Sequence, residues 1–138
     1  MAGYSGGNVN TVQYITISTT GNALDFGDRT VSLHYPAAAF NATRSVFGGG
    51  SGNNNIIDFV TTATTGNAQD FGDLATGSAA SFGMSSPIRG LFAGGNTPSF
   101  TDRIEFITIQ TTGNGTDFGD MTTATAGAAS FSNGHGGL

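Results

Sequence analysis

The chain has 138 residues, a net charge of −5, no Lys and no Cys, and its only strong cations are Arg29, Arg44, Arg89 and Arg103. This excludes disulfides and thiolate metal sites, and it argues against nucleic acid as a partner, because phosphate binding needs clustered cations. Glycine is abundant at 23 residues, yet a hydrophobic content of 37% with 11 Phe supplies apolar surface for folding, so one compact, turn-rich all-β domain is expected.

No basic-then-apolar leader opens the chain, and no apolar run approaches membrane-spanning length. A membrane partner is therefore not expected. An extracellular or virion-borne location would need release without such a leader, as lysis provides. Near the start, Gly3-Tyr4-Ser5-Gly6-Gly7 formally matches a nucleophile elbow. It lies in a Gly-rich loop with no strand before it and no helical pattern after it, and neither His34 nor His135 belongs to a recognisable constellation. No catalytic residue is assigned, and the chain is not expected to be an enzyme.

Tyr14-Ile15-Thr16-Ile17-Ser18 is the first strand-like run, rich in β-branched and aromatic residues. It leads into Thr19-Thr20-Gly21-Asn22-Ala23-Leu24-Asp25-Phe26-Gly27-Asp28. The motif returns after Ile57-Asp58-Phe59-Val60-Thr61 as Thr64 to Asp73, and after Ile104-Glu105-Phe106-Ile107-Thr108-Ile109 as Thr111 to Asp120. In each copy the Gly-Asn pair is expected to form a tight turn with positive φ. The following Asp25-Phe26-Gly27-Asp28, Asp70-Phe71-Gly72-Asp73 and Asp117-Phe118-Gly119-Asp120 read as short outer strands or turns. Their Phe should pack inward and their Asp should cap backbone N–H groups.

Small-residue segments ending in Phe come next: Pro36 to Phe40, Ser78 to Phe82 and Gly127 to Phe131. Small side chains suit a crowded position near a shared axis. Apolar strands closing on glycine follow, as Arg44-Ser45-Val46-Phe47-Gly48-Gly49 and Arg89-Gly90-Leu91-Phe92-Ala93-Gly94-Gly95. Each repeat thus supplies about four short strands, the unit of a propeller blade. No helix is expected, since no apolar period of 3.6 is sustained.

The period is about 46 residues, which divides the chain into repeats of approximately 1–47, 48–92 and 93–138. The spacing from the third motif through the two ends to the first is also about 46, so the repeat is cyclically complete. Gly136-Gly137-Leu138 joined to Met1-Ala2-Gly3 resembles Arg89-Gly90-Leu91-Phe92-Ala93-Gly94 with its Phe replaced by Met. These six residues are expected to form one split strand, completed by the chain's other end or by a neighbouring copy. Three blades are too few to close alone, and a head-to-tail homodimer would give six. A monomeric threefold β-trefoil or β-prism is the rival architecture.

The double-glycine strands with Arg ahead of them resemble kelch-type propeller repeats. Taken with Ile104 to Ile109 and the Thr-Thr-Gly-Asn-x-x-Asp-Phe-Gly-Asp motif, Arg89 to Gly95 resembles kelch-like repeats in structural and tail-fibre proteins of marine bacteriophages. The resemblance covers nearly the whole chain and implies a propeller fold and a place in a virion. The Trp of typical kelch repeats is absent, and three repeats fall short of a closed array, which favours closure by a homo-oligomer, a dimer above all, or a fragment of a longer repeat protein.

Function is expected in the polar loops that differ between repeats, Asn8-Val9-Asn10, Gly52-Asn53-Asn54-Asn55 and Gly95-Asn96-Thr97-Pro98-Ser99. Asn53, Asn54, Asn55 and Asn96 are candidate hydrogen-bonding groups for a host-surface glycan or protein, with Tyr4, Tyr35 or Phe100 as stacking faces. Arg44 and Arg89 recur at equivalent positions, either as structural donors to carbonyls or as ligand contacts near an axis. The paired Asp residues of the three motifs are the possible calcium ligands, but turn and cap roles fit them better, so no metal or cofactor is assigned. The expected function is a non-enzymatic adhesion module of a phage particle. The alternative is a purely structural virion component, a decoration or fibre protein, or a propeller assembly fragment with no ligand.

Overall fold

A computed structural model describes residues 6–96 and 98–132. Among the described residues ten strands run in chain order: β1 Thr11–Tyr14, β2 Leu24–Asp28, β3 Ala37–Phe40, β4 Arg44–Gly48, β5 Ile56–Thr61, β6 Gln69–Asp73, β7 Phe82–Ser85, β8 Arg89–Ala93, β9 Arg103–Thr108 and β10 Thr116–Asp120. They form three antiparallel sheets, β1-β2, β3-β4-β5-β6 and β7-β8-β9-β10. The described residues contain no helix, and none of the sheets closes into a barrel. The all-β expectation holds, and each four-stranded sheet is a simple meander.

The middle sheet is buried on both faces. Along β4, successive side chains point to opposite sides. Val46 enters one core with Ala39, Ile57, Phe59 and Phe71, joined by Phe92, Ile107 and Ile109 from the β7–β10 sheet. Phe47 enters a second core with Val12 of β1 and Val60, against which Phe26 of β2 packs. The three sheets are therefore layered in sequence order, with an apolar seam at each junction. The edge strands β3 and β7 run close together, and a Cβ at Gly83 would collide with the Ala38 carbonyl. Small residues there serve close approach between the two sheets.

Four expectations are corrected. The first strand lies at Thr11–Tyr14 rather than Tyr14 to Ser18. Its counterpart β5 continues to Thr61 because Val60 and Thr61 pair with Ser45 and Arg44 of β4. Among the described residues β1 has only β2 beside it, and residues beyond Tyr14 leave the ladder.

The small-residue segments do not align on their final Phe. Ala37 pairs with Gly48 and Phe82 with Ala93, so Phe82 is the counterpart of Ala37, not of Phe40. What fixes this register is the turn that follows. Asn41 Oδ1 accepts from the Arg44 N–H at 2.9 Å, and Ser86 Oγ accepts from the Arg89 N–H at 3.0 Å.

The chain reversal precedes the Gly-Asn pair. Thr64 N–H donates to Thr61 O and Thr111 N–H to Thr108 O, so the tight turn closes before Gly66 and Gly113. The Gly-Asn pair is spent instead on the neighbouring sheet.

Phe71 is 2% exposed, but Phe118 is 51% exposed, so inward packing of the motif Phe is not uniform. A further sheet covers Phe71, whereas among the described residues no sheet follows β10 to cover Phe118. The expected split strand of Met1, Ala2, Gly3, Gly136, Gly137 and Leu138 lies outside the described residues.

Candidate functional site

Two arrangements gather the residues singled out by the sequence. The first is the end of the sheets carrying the variable loops, which precede β1, β5 and β9. These loops are tied to one another. His34 Nδ1 lies 2.6 Å from Asn8 Oδ1, and Ser51 N–H donates to His34 O at 2.8 Å. Ala80 N–H donates to Tyr35 O at 3.2 Å, and Asn96 and Ala79 exchange both backbone hydrogen bonds. Phe100 bridges to Asn96 in turn. The positive-φ non-glycine residues among those described, Tyr35, Asn53 and Ala80, all lie here, so this end stores backbone strain that its hydrogen bonds hold in place.

The candidate ligand residues divide. Tyr35 and Phe100 are 55% and 64% exposed, and Asn53 and Asn96 face solvent. Asn54 instead accepts from the Ile56 N–H at 2.9 Å, and Asn55 donates to Leu74 O at 3.4 Å, so both side chains have local structural work. Tyr4 lies outside the described residues. Arg44 and Arg89 are placed elsewhere, stacked over Phe59 and Phe106 at 4.3 and 4.7 Å. Arg44 also donates from Nη1 to Ile109 O at 3.0 Å, which joins two sheets.

The second arrangement is a clasp built by the repeated motif. Gly66 N–H donates to Phe26 O and Ala68 N–H to Asp28 O, both at 2.7 Å, while Asn67 Oδ1 accepts from the Asp28 N–H at 3.0 Å. The same three bonds recur one sheet later. Gly113 N–H reaches Phe71 O at 2.7 Å, Gly115 N–H reaches Asp73 O at 2.8 Å, and Asn114 Oδ1 accepts from Asp73 N–H at 3.1 Å. Thus Gly-Asn of one motif satisfies the free edge of the preceding Asp-Phe-Gly-Asp strand. The Asn67 and Asn114 side chains are the contact residues that the reading of this motif as a turn missed. Their identity across copies, at a position a turn alone does not demand, was the available signal.

The motif Asp residues are not gathered into one site. Asp25 Oδ1 accepts from the Gly27 N–H at 3.2 Å, and no other motif Asp side chain caps a backbone N–H among the described residues. Asp117 and Asp120 border an open depression of about 360 Å³ with Asp102 and Glu105. Glu105 is already engaged by Arg103 Nη1 at 2.7 Å and by the Ala75 N–H at 2.8 Å. No group of His, Asp and Glu with the geometry to hold a metal occurs among the described residues. Arg29 and Asp58, not foreseen as a pair, form a buried ion pair at 2.9 Å.

Compared with known proteins, the chain matches no family model and no curated protein sequence.

Proposed function

We propose that the protein is a non-enzymatic adhesion module of a phage particle, whose meander sheets are propeller blades and whose loop end meets a host-surface glycan or protein. The observation that carries this reading is the convergence of the three variable loops on one end of the sheets, with Tyr35 and Phe100 more than half exposed beside Asn53 and Asn96. Aromatic faces next to amide groups suit sugar rings, which offer apolar C–H surfaces and hydroxyls together. A braced backbone lowers the ordering cost of binding. The resemblance of Arg89 to Gly95 and the repeated motif to kelch-like phage repeats supports the virion setting, and the chain's three repeats support completion of a ring by a second copy.

A glycan array and a host-cell binding assay with the full chain test this. Phe100→Ala and Asn96→Ala are expected to weaken binding about tenfold or more while melting is unchanged. A purely structural virion role is the second reading, favoured by the internal engagement of Asn54, Asn55 and Arg44. Stoichiometric incorporation into virions with no binding to any host surface would decide for it.

A further inference from the structure

We propose that the Ile15–Ala23 segment of one copy packs on the β7–β10 sheet of a second copy, its Gly21-Asn22-Ala23 clasping the Phe118–Asp120 edge. This deepens the repeat-assembly part of the proposed function and does not depend on the adhesion part.

Among the described residues both halves of this contact are unfilled. Where the β7–β10 sheet covers the middle sheet, Val46, Phe59 and Phe71 are 0%, 6% and 2% exposed. Their counterparts on the β7–β10 sheet, by ladder and motif position, are Leu91, Phe106 and Phe118. Leu91 and Phe106 are only half-buried, and Phe118 is 51% exposed. Ile88 at the same sheet's end is 66% exposed. An apolar face that is covered in one sheet is thus open in the next.

The segment that would cover it lies at the other end of the layered sheets. Ile107 and Ile109 run into the third motif and are 2% and 0% exposed, because they are driven into the middle sheet. Ile15 and Ile17 hold the same positions before the first motif, and they are 49% and 93% exposed. Exposed isoleucines at positions where their counterparts are core residues lack the surface that would bury them.

The polar groups match as well. At both internal junctions, Gly and the residue after Asn donate to the Phe and Asp carbonyls of the preceding strand. Among the described residues, the Gly21 and Ala23 N–H groups have no acceptor, and the Phe118 and Asp120 carbonyls receive no such donors. Arg89 stacks on Phe106 as Arg44 stacks on Phe59. Arg44 donates to Ile109 O, and the counterpart of that oxygen is Ile17 O, which a second copy would bring to Arg89. Donor and acceptor surfaces differ, so the contact is head-to-tail, and it forms a ring wherever the rotation between copies closes.

Native mass spectrometry and sedimentation of the full chain test the proposal. The wild type is expected at a multiple of 13.9 kDa. Ile17→Asp and Phe118→Asp each place a charge on a side chain exposed in the single copy, so both variants should keep the wild-type far-ultraviolet spectrum and fall to the monomer mass. Mixing them should restore a 1:1 dimer, because each retains the half that the other lacks. A folded wild-type monomer, variants with unchanged mass, or a mixture that stays monomeric overturns the proposal. Loss of glycan binding with assembly intact would remove the adhesion reading alone.

Discussion

Arg29 Nε lies 2.9 Å from Asp58 Oδ1 with both side chains fully buried, and this pair pins the two-stranded sheet to the middle sheet. Asp58 Oδ2 also accepts from the Thr30 N–H and hydroxyl, each at 2.9 Å. The next junction handles the same place differently. Leu74 follows Asp73 as Arg29 follows Asp28, and Glu105 binds the Ala75 N–H as Asp58 binds that of Thr30.

Removing the carboxylate should be far more harmful than removing the pair. Asp58→Ala strands a buried guanidinium and is expected to lower stability by about 3–5 kcal/mol. Adding Arg29→Leu, which copies the Leu74 arrangement, should recover part of that loss. Urea unfolding of both variants reads this directly. A double variant less stable than Asp58→Ala would show that Arg29 contributes more by packing over the Phe47 ring, 5.5 Å away, than its unpaired charge costs.

Identical motif residues should carry unequal energies. Phe71 is buried against Phe59 with ring centroids 5.8 Å apart, while Phe118 meets Phe106 at 6.1 Å with its other side open. Phe71→Ala is expected to cost about 3–5 kcal/mol. Phe118→Ala should cost under about 1 kcal/mol when measured on the monomer. Equal costs would mean that Phe118 is covered within a single chain.

How far the sequence could be read follows from these residues. Alternation and β-branching located β5 and β9, because both ladder neighbours of each are present to reinforce local preference. The same signals in Tyr14 to Ser18 misplaced β1, since Ile15 and Ile17 are apolar but exposed and lie in no ladder among the described residues. Matching segments by their terminal Phe failed for β7, whose register is set by the Ser86 cap rather than by an aromatic. The loop residues Asn53 and Asn96 were legible as exposed polar groups, but Asn54 and Asn55 were not separable from them without knowing which backbone groups lay within reach. The Arg29–Asp58 pair was hidden, because no periodicity links residues on different sheets.

The two equivalent arginines should likewise separate. Arg44 combines its place over Phe59 with a hydrogen bond to Ile109 O, so Arg44→Ala is expected to cost about 2–3 kcal/mol. Among the described residues the Arg89 side chain has the aromatic contact alone and is exposed, and Arg89→Ala should cost about 0.5–1 kcal/mol in the monomer. Thermal or urea melts of the two variants make the comparison. A larger cost for Arg89 would contradict the assignment of the Ile109 carbonyl as the difference.

Calcium would act through the motif carboxylates if it acted at all. These are dispersed along β2, β6 and β10, and Glu105 beside the third copy is already bonded to Arg103. Chelation with EDTA is therefore expected to leave the melting temperature unchanged. Binding of a calcium ion present at 100 times its dissociation constant would add about 2.7 kcal/mol, so a fall of several degrees would expose such a site.

The clasp makes the sharpest comparison between two glycines. Gly72 and Gly119 share the motif position and nearly the same backbone, with φ of 145° and 138°, so Ala is strained at either. Their surroundings differ. A Cβ on Gly72 would stand 2.5 Å from the Gly113 carbonyl oxygen, a backbone atom that cannot swing aside, whereas a Cβ on Gly119 would meet nothing within 4 Å. Gly119→Ala in the monomer should thus cost only the strain, about 1–3 kcal/mol. Gly72→Ala should add about 1–3 kcal/mol more by prising Gly113 and Asn114 from β6. Hydrogen exchange locates the loss, and the Gly113 and Gly115 amides should lose protection in Gly72→Ala while keeping it in Gly119→Ala. Equal destabilisation with those amides still protected would show that the clasp yields without breaking, and that glycine is held at this position by its φ alone.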